Sequence, residues 1–195
     1  MKKVLVIGEI LVEIMADTTG DGFRDVQALT GPFPSGAPAI FADQVAKVGQ
    51  PVAIISAVGD DDFGHLNLNR LRKDGVDVSA VHIDLDRPTG SAFVRYRDNG
   101  DRKFVFNIRH SAAGHLNITD ATEAVISAAD HLHVRGSSLS SPEIVSLNLR
   151  AAESIRGRGG TVSFDPNLRP EILSAPGMAD ALQRMVSMTD LYLPS

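Results

Sequence analysis

Pro34-Ser35-Gly36-Ala37-Pro38-Ala39 opens a stretch that runs through one helix and one strand into Val58-Gly59-Asp60-Asp61-Asp62-Phe63-Gly64. Gly36 and Ala37 let the backbone approach a ligand closely, Pro38 suits a first helical turn, and free N–H groups at a helix start offer donors to ligand oxygens. Phe41, Val45 and Val48 then share one helical face that stops at Gly49, and Val52 to Ile55 is a continuous apolar run. A run of that kind suits a parallel strand covered on both faces. Helix followed by such a strand is the unit of a doubly wound α/β sheet.

The same alternation extends in both directions. Val4 to Ile7, His131 to Val134, Thr161 to Phe164 and Leu191 to Leu193 read as further strands, the last arriving buried at its carboxyl end. Phe63, Leu66 and Leu71 mark a helix before Gly75, and Ala121 to Ala129, Glu143 to Ile155 and Met178 to Met188 complete the helical series. Two segments, 21–34 and 89–108, lack helical periodicity. The second holds Ser91 to Tyr96 and Lys103 to Ile108 around Asp98-Asn99-Gly100-Asp101, a hairpin with a turn-rich centre. The expectation is one α/β domain over residues 1–195, with a β appendage made by those two segments.

Composition limits the functional classes. Of 195 residues, 43% are hydrophobic and 22% charged, ordinary for a globular chain with a sizeable core. Scattered arginines and a formal net charge of −5 leave no nucleic-acid footprint, so a small polar partner fits better. Without cysteine there is no disulfide framework and no thiolate chemistry. Met1-Lys2-Lys3 followed by a short apolar run gives neither a secretory segment nor a membrane span, and a cytoplasmic location is expected.

Several side chains carry chemistry of their own. Glu13, just past the first strand, is an acceptor-only group suited to charge-assisted bonds from hydroxyls, and Glu9 is a weaker candidate for the same task. Arg109, after the hairpin, and Arg169, in Asp165-Pro166-Asn167-Leu168-Arg169, offer planar forks for paired oxygens. Asp165 and Asn167 stand at the carboxyl end of a strand, where a phosphate site and a proline turn are both open readings. Asp60, Asp61 and Asp62 suit a hard cation, but Asp62 directly before Phe63 also reads as a helix N-cap, the preferred reading. His131 and His133, on one strand face, lack the cysteine or spaced helical histidine of a zinc site. Gly157-Arg158-Gly159-Gly160 ends a helix and reads as its C-cap. No Gly-x-Gly-x-x-Gly follows the first strand, which argues against a nucleotide-dependent oxidoreductase.

Gly36, Ala37, Pro38, Ala39, Gly49 and the run Val58 to Gly64 together resemble the first signature of the ribokinase (PfkB) family of carbohydrate kinases. The family usually shows Gly-Gly-x-x-x-Asn, and Ser35 and Ile40 stand in place of the first glycine and the asparagine. The resemblance implies a ribokinase-like sheet, with 21–34 and 89–108 as a lid over the sugar that often serves as a homodimer contact. It further implies ATP and Mg²⁺ as cofactors and transfer of the γ-phosphoryl group to a hydroxyl of a ketose or a keto sugar acid. Glu13, Gly36, Ala37, Asn107, Arg109 and Arg169 are the substrate-binding residues so implied, with Asp165 and Asn167 near the phosphate. Kinases of 2-keto-3-deoxygluconate carry tyrosines where Ala92 and Asn107 stand here, which leaves a neutral ketose at least as well supported. The family's later motifs, Asn-x-x-Glu for metal and phosphate and Gly-Ala-Gly-Asp for anion hole and base, are not among these residues. The 195 residues are therefore expected to bind sugar without turning it over. The rival reading is a sugar-binding or regulatory module without catalysis.

Overall fold

The computed structural model describes residues 1–116, 118–139, 141–167 and 178–194. Its centre is a six-stranded parallel sheet of β1 (Val4–Ile7), β4 (Val52–Gly59), β5 (Val81–Asp84), β8 (His131–Arg135), β9 (Thr161–Asp165) and β10 (Leu191–Tyr192). Their spatial order is β10-β9-β8-β1-β4-β5. From β1 the chain winds outward through α1 (Ala37–Lys47) to β4 and through α2 (Asp62–Lys73) to β5. It then returns to the other side of β1, through α3 (Asp120–Ala128), and winds away through α4 (Pro142–Gly157) and α5 (Met178–Ser187). Winding thus reverses between β1 and β8, the place where open α/β sheets bind ligands.

Both faces of the sheet are covered. Leu5, Ile7, Leu132, Val134 and Val162 pack with Ile144, Ile155 and Met185 in one core, on the side of α3, α4 and α5. Val6, Ile54 and Val58 pack with Ala39, Ala42, Leu68 and Leu71 of α1 and α2 in the other. A core residue such as Ile155, fully buried, contributes about 2–5 kcal/mol when compared with alanine. Arg158 ends α4 as its C-cap and donates through Nη2 to the carbonyls of Ile126 and Ala129, tying α4 to the end of α3.

A second, four-stranded sheet stands beside this core in the order β3-β2-β6-β7. It comprises β2 (Leu11–Ala16), β3 (Leu29–Ser35), β6 (Gly90–Tyr96) and β7 (Arg102–Asn107). Here the structure corrects the sequence reading. Of the 21–34 segment only the part from Leu29 is strand, and β2, where the sequence reading put Glu13 just past the first strand and assigned no strand, forms the middle of the sheet. Cross-strand register puts Phe33, Glu13, Ala92 and Phe106 on one face. Val12, Ser91 and Asn107 lie on the opposite face. On that second face Phe23 packs edge-on to Phe93 at 6.1 Å, and Arg95 donates to the carbonyls of Thr18, Thr19 and Gly22. The chain covers this face with its own loop. On the first face Phe104 and Phe106 stack at 4.9 Å, while Phe33 and Phe106 stay 43% and 48% exposed.

Two further expectations change. β10 is an exposed edge, with Leu191, Tyr192 and Leu193 about half accessible, because among the described residues only β9 pairs with it. The N-cap of α2 is Asp61, one residue earlier than expected, because its extended backbone lets its carboxylate accept from the Gly64 N–H.

An ion-pair cluster joins α1 to α2. Asp43, 3% exposed, accepts from Lys47 Nζ at 2.8 Å and Arg70 Nη2 at 3.0 Å, and Lys47 reaches Asp74 at 3.3 Å. Burial alone would raise the Asp43 carboxyl, but these hydrogen bonds outweigh it and lower it from 3.8 to about 2. A carboxyl lowered by folding stabilises above its unfolded value and loses that contribution as pH falls toward the folded one. Asp43→Asn, which imitates the protonated acid, should destabilise by about 2 kcal/mol at pH 7, and the gap between variant and parent should close between pH 4 and pH 2. Urea denaturation across that range measures it.

Candidate functional site

At the reversal point the loop after β1, the start of α1 and the turn after β8 meet. Gly36 caps α1 with φ of +105°, a conformation that favours glycine, and a Cβ there would lie 2.5 Å from the Glu9 carbonyl oxygen. Pro38 follows in the first helical turn, and among the described residues no side chain caps this helix start. Glu9 extends from the β1 loop and accepts from Ser138 Oγ at 3.0 Å, in the 3-10 turn Gly136–Ser138. Desolvation by burial raises the Glu9 carboxyl, against the lowering effect of its hydrogen bonds with its own and the Ala37 backbone, of Ser138, and of the charge on Arg135.

Arg135 ends β8 and pairs with Asp165 at 3.1 Å, at the end of β9. Asp165 also accepts the Asn167 N–H at 3.1 Å, and Asn167 is held at φ of +37°. Gly136 fits only without a side chain, since a Cβ there would lie 1.7 Å from the Pro166 carbonyl oxygen. Asp165 and Asn167 therefore stand beside Arg135 at the sheet's carboxyl edge. Arg169 lies outside the described residues.

Glu13 sits in the middle of β2, on the open face of the small sheet, and accepts from Ser35 Oγ at 3.3 Å. Ser35 immediately precedes Gly36, so Glu13 and the α1 start are joined through one hydroxyl. Asn107 does not join them. It faces the other side of the sheet, where its amide donates to Ser91 Oγ at 3.3 Å. Together with Arg109 it lines a pocket of about 640 Å³ with Asp61, Phe63, Ser91 and His110, and neither Glu13 nor Gly36 lines that pocket. The expected set of substrate-binding residues thus divides in two, Glu13, Gly36 and Ala37 at the reversal point and Asn107 and Arg109 behind the small sheet.

Asp61 anchors that small sheet. Besides capping α2 it accepts from the Thr89 N–H and hydroxyl, both at 2.7 Å, and the Thr89 hydroxyl accepts the Gly59 N–H at 2.9 Å. Burial opposes ionisation of Asp61, but the bonds from Thr89 and Gly64 prevail and lower its carboxyl. Asp60 pairs with His65, and no group of three His, Cys, Asp or Glu residues among the described ones could hold a metal ion. His131 Nε2 and His133 Nδ1 each lie 2.8 Å from Ser163 Oγ, and His131 Nδ1 lies 2.8 Å from Thr161 Oγ1. His133 also stacks on Phe41 at 3.8 Å, and burial lowers it to about 4.

Residues 1–195 match the model of the pfkB family of carbohydrate kinases. The chain belongs to this family. A protein of E. coli solved under the name ribokinase II superposes with a TM-score of 0.93 at 46% identity, over 100% of this chain and 62% of that one. Another structure of that name, in complex with ATP and Mg²⁺, gives 0.89 at 45% identity with the same coverage. A fructokinase of Salmonella typhimurium is 38% identical over 170 residues, 87% of this chain and 52% of that protein. A fructokinase of Klebsiella pneumoniae is 34% identical over 189 residues, 96% of this chain and 58% of that protein. The chain spans about half the length of these curated relatives.

Sequence reading ranked Glu9 below Glu13 and passed over Arg135 and Ser138. The signal was present in Glu9 directly after Gly8 at a strand end, but its partner lies 129 residues away. Among the described residues, no helix is long and apolar enough to cross a membrane. Asp61→Ala should remove the α2 cap and both Thr89 bonds, lowering stability by about 1–3 kcal/mol. Hydrogen exchange should then quicken along β6 more than along β1.

Proposed function

We propose that this chain is the sugar-binding part of an ATP-dependent kinase that phosphorylates a hydroxyl of a neutral ketose, with D-fructose the first substrate to test. The observation that carries the reading is the meeting of Glu13, Ser35 and the glycine-started helix α1 beside the crevice where the sheet reverses its winding. Glu13 would accept hydrogen bonds from sugar hydroxyls, and the backbone N–H groups at Gly36 and Ala37 would donate to sugar oxygens. The small sheet would act as a lid, its open face toward the sugar, with its hinge at Thr89. A homodimer through that face belongs to the same reading, supported by the exposed Phe33 and Phe106. The fructokinase relatives, and the small Ala92 on the lid face beside Glu13, favour a ketose over a keto sugar acid.

ATP and Mg²⁺ enter through the family and through the relative solved with both. Phosphoryl transfer depends on positioning and on charge stabilisation, and magnesium keeps few protein ligands beside phosphate oxygens and water. Asp165 and Asn167 would stand closest to the phosphate, from the β9 end of the crevice. Asp165 is paired with Arg135 there, and in this reading both residues contribute positioning. Arg169 stays in the proposal as a sugar-gripping residue, whereas Arg109 and Asn107 are assigned to the pocket behind the hinge.

Calorimetric titration of D-fructose and of 2-keto-3-deoxygluconate into the 195 residues tests the reading. D-Fructose should bind, and Glu13→Ala should weaken it by about 1–3 kcal/mol, the scale of hydrogen bonds to a charged group. Equal binding by parent and variant, or binding of the keto acid alone, would refute the assignment. An ATP-coupled assay of the same 195 residues should show no turnover of either sugar, and measurable turnover would overturn that part of the proposal.

A further inference from the structure

Glu9 has an environment that packing does not require. Its carboxylate stands half-buried at the reversal point, takes the Ser138 hydroxyl at 3.0 Å, and bonds with the Ala37 backbone. Those two donors come from different layers of the chain, the turn after β8 and the first residue of α1. Arg135 acts on Glu9 through its charge, while its guanidinium pairs with Asp165. A desolvated carboxylate with no direct cationic partner among the described residues is a costly way to join two backbone segments. We infer that Glu9 is a positioning residue, which fixes the Gly36–Ala37 helix start against the turn after β8 and so aims the α1 amides into the crevice. The inference rests on the reading of that helix start as part of the sugar site.

The geometry explains why the join matters. Gly36 is the N-cap of α1 and has no side chain to satisfy the first N–H groups, so the orientation of that first turn depends on contacts from elsewhere. Glu9 supplies one through its carboxylate and a second through its carbonyl oxygen, on which Gly36 packs closely. Loss of the carboxylate frees the Ala37 amide and leaves the Ser138 hydroxyl without its acceptor. A glutamine of the same length satisfies both, with its oxygen facing the Ala37 N–H and its nitrogen donating to Ser138 Oγ. It also avoids the cost of burying charge. Because burial raises the Glu9 carboxyl, its contribution to stability is complete at low pH and declines as pH rises through the folded value.

The test uses D-fructose as probe, titrated into the parent, Glu9→Ala, Glu9→Gln and Ser138→Ala, with thermal melts and hydrogen exchange on each. Glu9→Ala should bind about tenfold more weakly and exchange faster at the Ala37 amide. Glu9→Gln should recover affinity to within about threefold of the parent and melt no lower than it at pH 8. Ser138→Ala should fall between them, and it decides the matter if Glu9→Ala does not fold. A parent that binds while Glu9→Ala or, failing that, Ser138→Ala binds equally well overturns the role of Glu9 alone. Weakening in Glu9→Gln as large as in Glu9→Ala overturns positioning in favour of direct charge on the sugar. A parent that binds no D-fructose overturns the sugar-site reading and this inference with it.

Discussion

Reversal of winding on either side of β1 is the constraint from which the rest of this structure follows. When β4 pairs on one side of β1 and β8 on the other, the connections leaving their carboxyl ends diverge, and a gap opens that no helix of the sheet can fill. Polar groups collect there because they are the ones that tolerate the gap. Glu9, Gly36, Ser138 and the Arg135–Asp165 pair all stand on its edges. The small sheet grows out of the same place, since only three residues separate β2 from β1 and β3 delivers the chain directly into α1. Small sheet, helix start and crevice are thus consequences of a single topological step.

Electrostatics in this chain divide between stability and site. The Asp43 cluster is made of long, half-exposed cations around one buried carboxylate, which lets ionisation hold two helices together at neutral pH. Asp61 uses hydrogen bonds from backbone and hydroxyl groups in place of cations, and so fixes the start of α2 to the start of β6. Glu9 is the opposite case, since burial works against its charge. Opposite shifts of Glu9 and Asp43 mark the difference between a carboxylate that the fold uses and one that it tolerates.

Strands buried on both faces were legible because their composition cannot be anything else. Val52 to Ile55 and Thr161 to Phe164 are bounded apolar runs, and the helices between them carry single apolar stripes ended by glycine. β2 escaped reading because Glu13 interrupts its apolar residues and its partners lie in distant hairpins. The exposed state of Leu191 and Tyr192 was equally invisible, as an apolar run does not declare whether a neighbour will cover it. At the candidate site, residue type singled out Glu13, Gly36 and Asn107 alike and could not place Asn107 on the opposite face of the small sheet. That separation depends on a one-residue parity in strand register, with Ser91 and Ala92 facing opposite ways. Asp61 was mistaken for Asp62 for a similar reason, since three consecutive aspartates leave the cap to be chosen by backbone geometry.

Ser163 places its hydroxyl between His131 and His133, yet a hydroxyl has one proton to give. If that proton goes to His133, then His131 must donate its own Nε2 proton to the serine and take one from Thr161 at Nδ1. If it goes to His131, the polarity of the whole row reverses, and His131 donates to Thr161 instead. The two imidazoles therefore cannot choose their tautomers independently. Between β8 and β9, protons form a one-way street whose direction is set for three hydrogen bonds at once.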